Sequence, residues 1–247
     1  MKKRQRIFIK VIFYITAIEL LFNVVQMIFA EDQITSLNII TVVACSAMLA
    51  LIFVPVYTKK LFKRVLPPSM YIMFVTFCFC GLFLGDVKIF YAHFEHWDTL
   101  LHFISGMMLA VLGFILVNTL NDSDKTKQYV KLSPFFVAAV AFCFVMTIQS
   151  LWEIGEFLTD EWFNLNSQTY METTTGTVVM PEDIPLVGHE ALRDTMSDFM
   201  LDGLGGLIVC IIGYFNLKHN KKSFSDECLD KVVEPEEKGA NDGGKEK

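Results

Sequence analysis

Carboxylates and one imidazole recur at helical spacing in three apolar stretches of this chain. Asp98 and His102 are four residues apart at the head of one stretch. Glu153 and Glu156 are three apart near the end of the next, and Asp194, Asp198 and Asp202 follow one another in fours through the last. Residues at i, i+3 and i+4 share one face of a helix, so each stretch offers at least two such groups on one side. Ionisable groups at membrane depth are costly and are functional candidates by default. Crowded acids raise one another's pKa, and they call for a cation, shared protons or water. A divalent metal is the sharpest answer. Carboxylates with one imidazole suit Zn²⁺, Mn²⁺, Fe²⁺ or Mg²⁺ and not soft Cu⁺. Helix bundles build such sites from facing helices. The expected ligands are Asp98, His102, Glu156, Asp194 and Asp198. A metal there would lower the pKa of a bound water, with Glu153 or Asp202 as the general base.

The elements that must carry these groups are written in the hydropathy. The 247 residues are 53% hydrophobic and include 23 Phe, with mean hydropathy +0.44. Soluble domains hold about 45–50% apolar residues, and here the excess is gathered into long runs. Six runs reach the length of about 17–25 residues that a spanning helix needs. They cover 7–30, 36–57, 69–90, 98–120, 133–158 and 194–217. The expected fold is therefore all-α, a polytopic transmembrane bundle of about six spans in one membrane domain, 1–222. The basic start MKKRQR resembles a signal peptide, but the apolar run behind it exceeds the 7–15 residues of an h-region, so a retained first helix is expected. Residues 223–247 are rich in Glu, Lys, Gly and Asp and are expected to be a disordered tail.

Net charge −6 hides a segregated pattern. Lys2, Lys3, Arg4, Arg6 and Lys10 open the first run, Lys59, Lys60, Lys63 and Arg64 follow the second, Lys125, Lys127 and Lys131 the fourth, and Lys218, Lys221 and Lys222 the sixth. The alternate loops hold only Lys88 and Arg193. The positive-inside rule then places both termini in the cytoplasm. All the site acids fall toward the outer ends of their helices. Five of the six cysteines lie in spans and Cys228 in the tail, so an outer disulfide framework is not expected.

Below the acids the same helix faces carry Gly106, Ala110 and Gly113 on one helix and Gly205 and Gly206 on another. Small residues let membrane helices approach closely. The pattern predicts a packed inner half beneath a polar outer chamber. Gln149 lies on the face of Glu153, while Glu19, Asn23 and Gln26 are placed either to join the chamber or to pair within the bundle, and Asp86 ends the third run on that side. Loop 159–193 is the one sizeable outer loop, and its Thr- and Val-rich stretch suggests a short hairpin or lid. Blander roles stand beside these. Asp98 and Asp194 suit helix N-termini as caps or dipole partners. Asp160 and Glu161 suit an interface facing water, His93, His96 and His189 suit solvated loops, and Trp97, Trp152 and Trp162 suit an aromatic belt.

The motifs HWDTLLHFISG, LWEIGEFL and DTMSDFMLDGLGG, in that order between about 69 and 217, resemble the YjdF-like family of bacterial inner-membrane proteins. By position the resemblance points to Asp98, His102, Glu153, Asp194 and Asp198. It implies a polytopic protein of the bacterial cell membrane and adds no reaction. The leading expectation is a metal-dependent hydrolase or transferase acting on lipid or envelope small molecules near the outer leaflet. The alternatives are a cation- or proton-coupled transporter and a non-enzymatic scaffold or sensor. The expected partners are the lipid bilayer and that substrate, with no nucleic acid.

Overall fold

The computed structural model describes residues 3–29, 36–54, 68–121, 132–173 and 178–219. Helix α1 spans Lys3–Phe29 and α2 spans Ser36–Ile52. Helix α3, Pro68–Cys78, runs on as a π-helix, Phe79–Val87. A short α4, Phe90–His93, leads to α5, Trp97–Asn121. Helix α6 spans Pro134–Phe163, and α7 spans Arg193–Lys218 after a 3₁₀ turn at Glu190–Leu192. The fold is an all-α membrane bundle. Five of its helices are long and apolar enough to cross a bilayer, while Asn38–Ile52 is apolar but shorter. Large side chains such as Ile18, Phe29, Leu151 and Phe215 point outward. That suits a hydrocarbon solvent, in which only helices and closed barrels satisfy their own backbone groups.

The helices start and stop near the expected runs, with local causes. Pro134 sits in the first turn of α6, where its missing N–H costs nothing, and Ser133 caps by accepting from the Phe136 N–H at 3.2 Å. Asn164, left-handed at φ 55°, ends α6 five residues beyond the expected 158. The third run departs from α-helix: Lys88 N–H bonds Phe83 O at 2.9 Å, a five-residue step. Residues 55–57 of the second expected run and the expected tail 223–247 lie outside the described residues.

Packing divides the bundle into two groups. Ile9, Ile12, Met48, Ile52, Val75 and Cys78 join α1, α2 and α3. Ala110, Phe114, Val137, Ala141, Val145 and Cys210 join α5, α6 and α7. In the second group, glycines set the approach. A Cβ on Gly106 would overlap the Asp202 backbone, and one on Gly205 would overlap the Phe103 carbonyl. A Cβ on Gly113 would lie 2.9 Å from Ala141 Cα. The backbones of α5 and α7 thus touch at the level of Asp202, which fixes the height of one functional helix against the other.

Outside the helices, β1 (Met171–Glu172) pairs antiparallel with β2 (Ile184–Pro185), and Leu165 bridges Val178. The loop therefore holds the short hairpin that its composition suggests.

Candidate functional site

Helices α5, α6 and α7 bring their polar faces together at one end of this group. The α5–α7 contact sets Asp202 beside His102, whose Nδ1 lies 2.7 Å from Asp202 Oδ2. The single hydroxyl of Ser105, three residues along α5, lies between the other Asp202 oxygen and His102 O and shares its one proton between them. Asp202 is fully buried, so its charge rests on these two partners. The other ring nitrogen, Nε2, lies 3.6 Å from both Asp98 Oδ1 and Asp198 Oδ2. One nitrogen is thus bonded to an orienting carboxylate, and the other faces a gap between two more. A carboxylate at 2.7 Å accepts from Nδ1–H, the tautomer that leaves the Nε2 lone pair toward the gap. Asp98, His102 and Asp198 each offer one ligand atom within 4.8 Å of the others.

The remaining expected ligands, Glu156 and Asp194, and the expected base Glu153 sit around this triangle. Glu153 is buried; Gln149 Nε2 donates to its Oε1 at 2.8 Å, and Gln168 Nε2 approaches Oε2 at 3.5 Å. Glu156 Oε1 accepts from Trp152 Nε1 at 2.8 Å. Its Oε2 is buried without a hydrogen-bond partner, within Coulombic reach of Asp98, His102 and Asp198. Asp194, one turn above Asp198, hydrogen-bonds Thr169. The structure therefore groups Asp98, His102, Asp198 and Asp202 tightly, with Glu153, Glu156 and Asp194 in a surrounding layer.

Other residues stand apart. Glu19 pairs with Lys88 at 2.9 Å and joins Asn23, away from the triangle. His93, His96 and His189 are exposed, as solvated loop residues are.

Four contributors lie outside the expected set, though Ser105, three residues after His102, and Asp160, four after Glu156, share its helical spacing. Ser105 buttresses Asp202. Asp160, which suited a water-facing interface, is buried and accepts from the backbone N–H of Ser167 and Gln168 at 2.8 and 3.0 Å. That turn aims Gln168 at Glu153 and at Thr195, which it reaches at 3.1 Å. Tyr91 is the fourth, lying against the glycines of the π-helix. A conformational clue marks it: Ile89, two residues earlier, holds φ 58°, where β-branched residues are strained. Trp97 ties this region to α5 by donating to Cys80 O at 3.2 Å.

No curated protein and no solved structure matches the chain. A family model described as a predicted membrane protein, DUF2238, matches residues 9–219, which includes every helix of the site. The chain belongs to the DUF2238 family of predicted membrane proteins.

Proposed function

We propose that the protein is a metal-dependent membrane hydrolase or transferase, with Asp98, His102 Nε2 and Asp198 holding a divalent metal and a lipid or cell-envelope molecule as substrate. The observation that carries this is the spacing around Nε2. Ligands bound at 2.0–2.2 Å in a tetrahedral zinc site stand about 3.4 Å apart. Two edges of the triangle are 3.6 Å, too long for a hydrogen bond and close to the separation of two atoms sharing an ion. Asp202 on Nδ1 adds the carboxylate that orients metal-binding histidines and raises their basicity. The same donor set accepts Mn²⁺, Fe²⁺ or Mg²⁺.

The metal's contribution would be to lower the pKa of a water. The rest falls to the chain. Asp202, behind the imidazole, is better suited to positioning His102 than to serving as general base. The Glu153 oxygens are occupied by Gln149 and Gln168. Glu156, with one buried oxygen free of partners, is the better base. A cation- or proton-coupled transporter would need a polar path past Asp202, but that region is filled by Ala110, Phe114, Ala141, Val145 and Cys210. The segregated Lys and Arg, with the YjdF-like motifs, support a bacterial cytoplasmic membrane, cytoplasmic termini and a site toward the outer leaflet.

The test is hydrolysis of a lipid panel by the full chain in nanodiscs after chelator treatment and metal return. Turnover that needs the returned metal and is lost in His102→Ala supports the reading. Turnover indifferent to metal, or none with any of the four ions, contradicts it.

A further inference from the structure

Beyond Glu153, α6 runs on to Asn164, and the chain then folds back toward the site. Two buried side chains close the next residues into a compact strap. Asn166 spans it, accepting from the Met171 N–H at 2.8 Å and donating to the Met171 carbonyl at 3.0 Å. Asp160, in the last turns of α6, ties it down, with both oxygens taken by the backbone N–H groups of Ser167 and Gln168. Buried polar side chains paired this fully specify one arrangement. Thr169 sits inside the strap at φ 49°, a strained position for a β-branched residue. Such strain persists only where the surrounding contacts over-determine it.

The strap lays Gln168 and Thr169 across two helices of the site. Thr169 hydrogen-bonds Asp194 on α7. Gln168 Nε2 donates to Thr195 Oγ1 at 3.1 Å, and Thr195 in turn bonds the Glu153 carboxylate on α6. The same Gln168 nitrogen lies 3.4 and 3.5 Å from the Glu153 carbonyl and Oε2. The other Glu153 oxygen, Oε1, accepts from Gln149 Nε2 at 2.8 Å. A carboxylate only accepts, so it is the nitrogen of the Gln149 amide that must face it. That nitrogen also stands 3.4 Å from His102 Nδ1. With Nδ1–H donated to Asp202, this second contact is packing: the amide meets the ring edge beside Asp202 and limits how far the imidazole can tilt. A printed run of contacts thus leads from Asp160, through Gln168, Glu153 and Gln149, to His102.

The proposed metal binds Nε2, on the far side of the same ring. A tilt at Nδ1 would move Nε2 against Asp98 and Asp198, and the outer partners of a ligating histidine are conserved because they hold it in place. We infer, resting on the metal reading of the site, that Gln149, Glu153 and Gln168 form a positioning chain through which the strap holds His102 in register for the ion. Closing of the strap and binding of the metal then favour each other, and linkage makes that coupling equal in both directions.

The experiment follows the full chain in nanodiscs, without and with saturating Zn²⁺, by hydrogen exchange and by competition against a chelator. Gln168→Ala should weaken Zn²⁺ binding about threefold to tenfold, and Gln149→Ala about tenfold to a hundredfold. The double variant should bind like Gln149→Ala alone, since the two act in series. In the wild type, Zn²⁺ should slow exchange of the Ser167 and Gln168 amides by about the factor that Gln168→Ala costs in affinity. The Met180 amide, bonded to Asp183 in the same loop but outside the strap, should not respond. With Co²⁺ in place of Zn²⁺, the visible bands should move in both single variants, a change that a loss of loop stability alone would not produce. Strap amides indifferent to metal, full affinity and an unmoved Co²⁺ spectrum in Gln168→Ala, or costs that add in the double variant would each overturn the inference while leaving the metal reading intact. The exchange measurement uses wild type, so it decides even if a variant does not fold. A chain that takes up no metal would overturn both.

Discussion

His102 meets three carboxylates through two nitrogens, and the two sides differ in kind. Nδ1 makes a short bond to the buried Asp202, while Nε2 looks across 3.6 Å gaps to Asp98 and Asp198. If Asp202 positions the ring, Asp202→Asn should leave the ligand triangle in place and weaken metal affinity about 10- to 100-fold, the usual cost of losing such a partner. His102→Ala or Asp198→Ala should instead abolish stoichiometric binding. Competition against a chelator of known affinity separates the two outcomes. A loss in Asp202→Asn as complete as in Asp198→Ala would make Asp202 a ligand. The sequence carried the members of this set, because four-residue spacing puts Asp98 with His102 and Asp198 with Asp202 on single faces. It did not carry the split between the two nitrogens. Which carboxylate lies behind the ring depends on the relative height of α5 and α7, a tertiary quantity.

That height is set by glycine, and it gives an element-level prediction. Gly106→Ala drives a methyl into the Asp202 backbone, and backbone cannot swing aside as a side chain can. The cost should be about 1–3 kcal/mol, as for other overpacked cores, together with a fall in metal content as α5 and α7 separate. Gly155 on α6 has nothing within 4 Å of its Cβ position, so Gly155→Ala should be neutral or stabilise by roughly 0.5–1 kcal/mol through helix propensity. Thermal unfolding in detergent distinguishes the pair; equal melting shifts would show that the glycine contact does not hold the helices. The spans were legible because long apolar runs leave the backbone little choice but helix, and the glycine stripes announced the close approach. The π-helical end of α3 was not legible: Tyr91 and Trp97 pack on its Gly81, Gly85 and Cys80 from outside the run, and hydropathy carries no sign of such contacts. Gln168 was missed because a loop that folds back on a helix leaves no period in the sequence, whereas Asp160 keeps the spacing of Glu156 and only its burial under that loop was hidden.

For the molecule as a whole, orientation decides which compartment supplies the substrate. The basic segments alternate with loops almost free of Lys and Arg, which predicts cytoplasmic termini and the acid cluster toward the opposite face. A green fluorescent protein fused after Lys247 should fluoresce, and alkaline phosphatase fused after Val187 should be active. The reverse pattern would turn the site toward the cytoplasm and remove envelope molecules as substrates. The central claim, that six carboxyl groups and one imidazole are gathered here for a divalent metal, has a more direct test. Purified protein is analysed for bound metal by elemental mass spectrometry, wild type beside His102→Ala and Asp198→Ala, with Mg²⁺ kept in a parallel preparation. The account predicts close to one divalent ion per chain in the wild type and a near-complete loss in both variants. A folded wild type without metal in either preparation, or variants that keep the full complement, would contradict it.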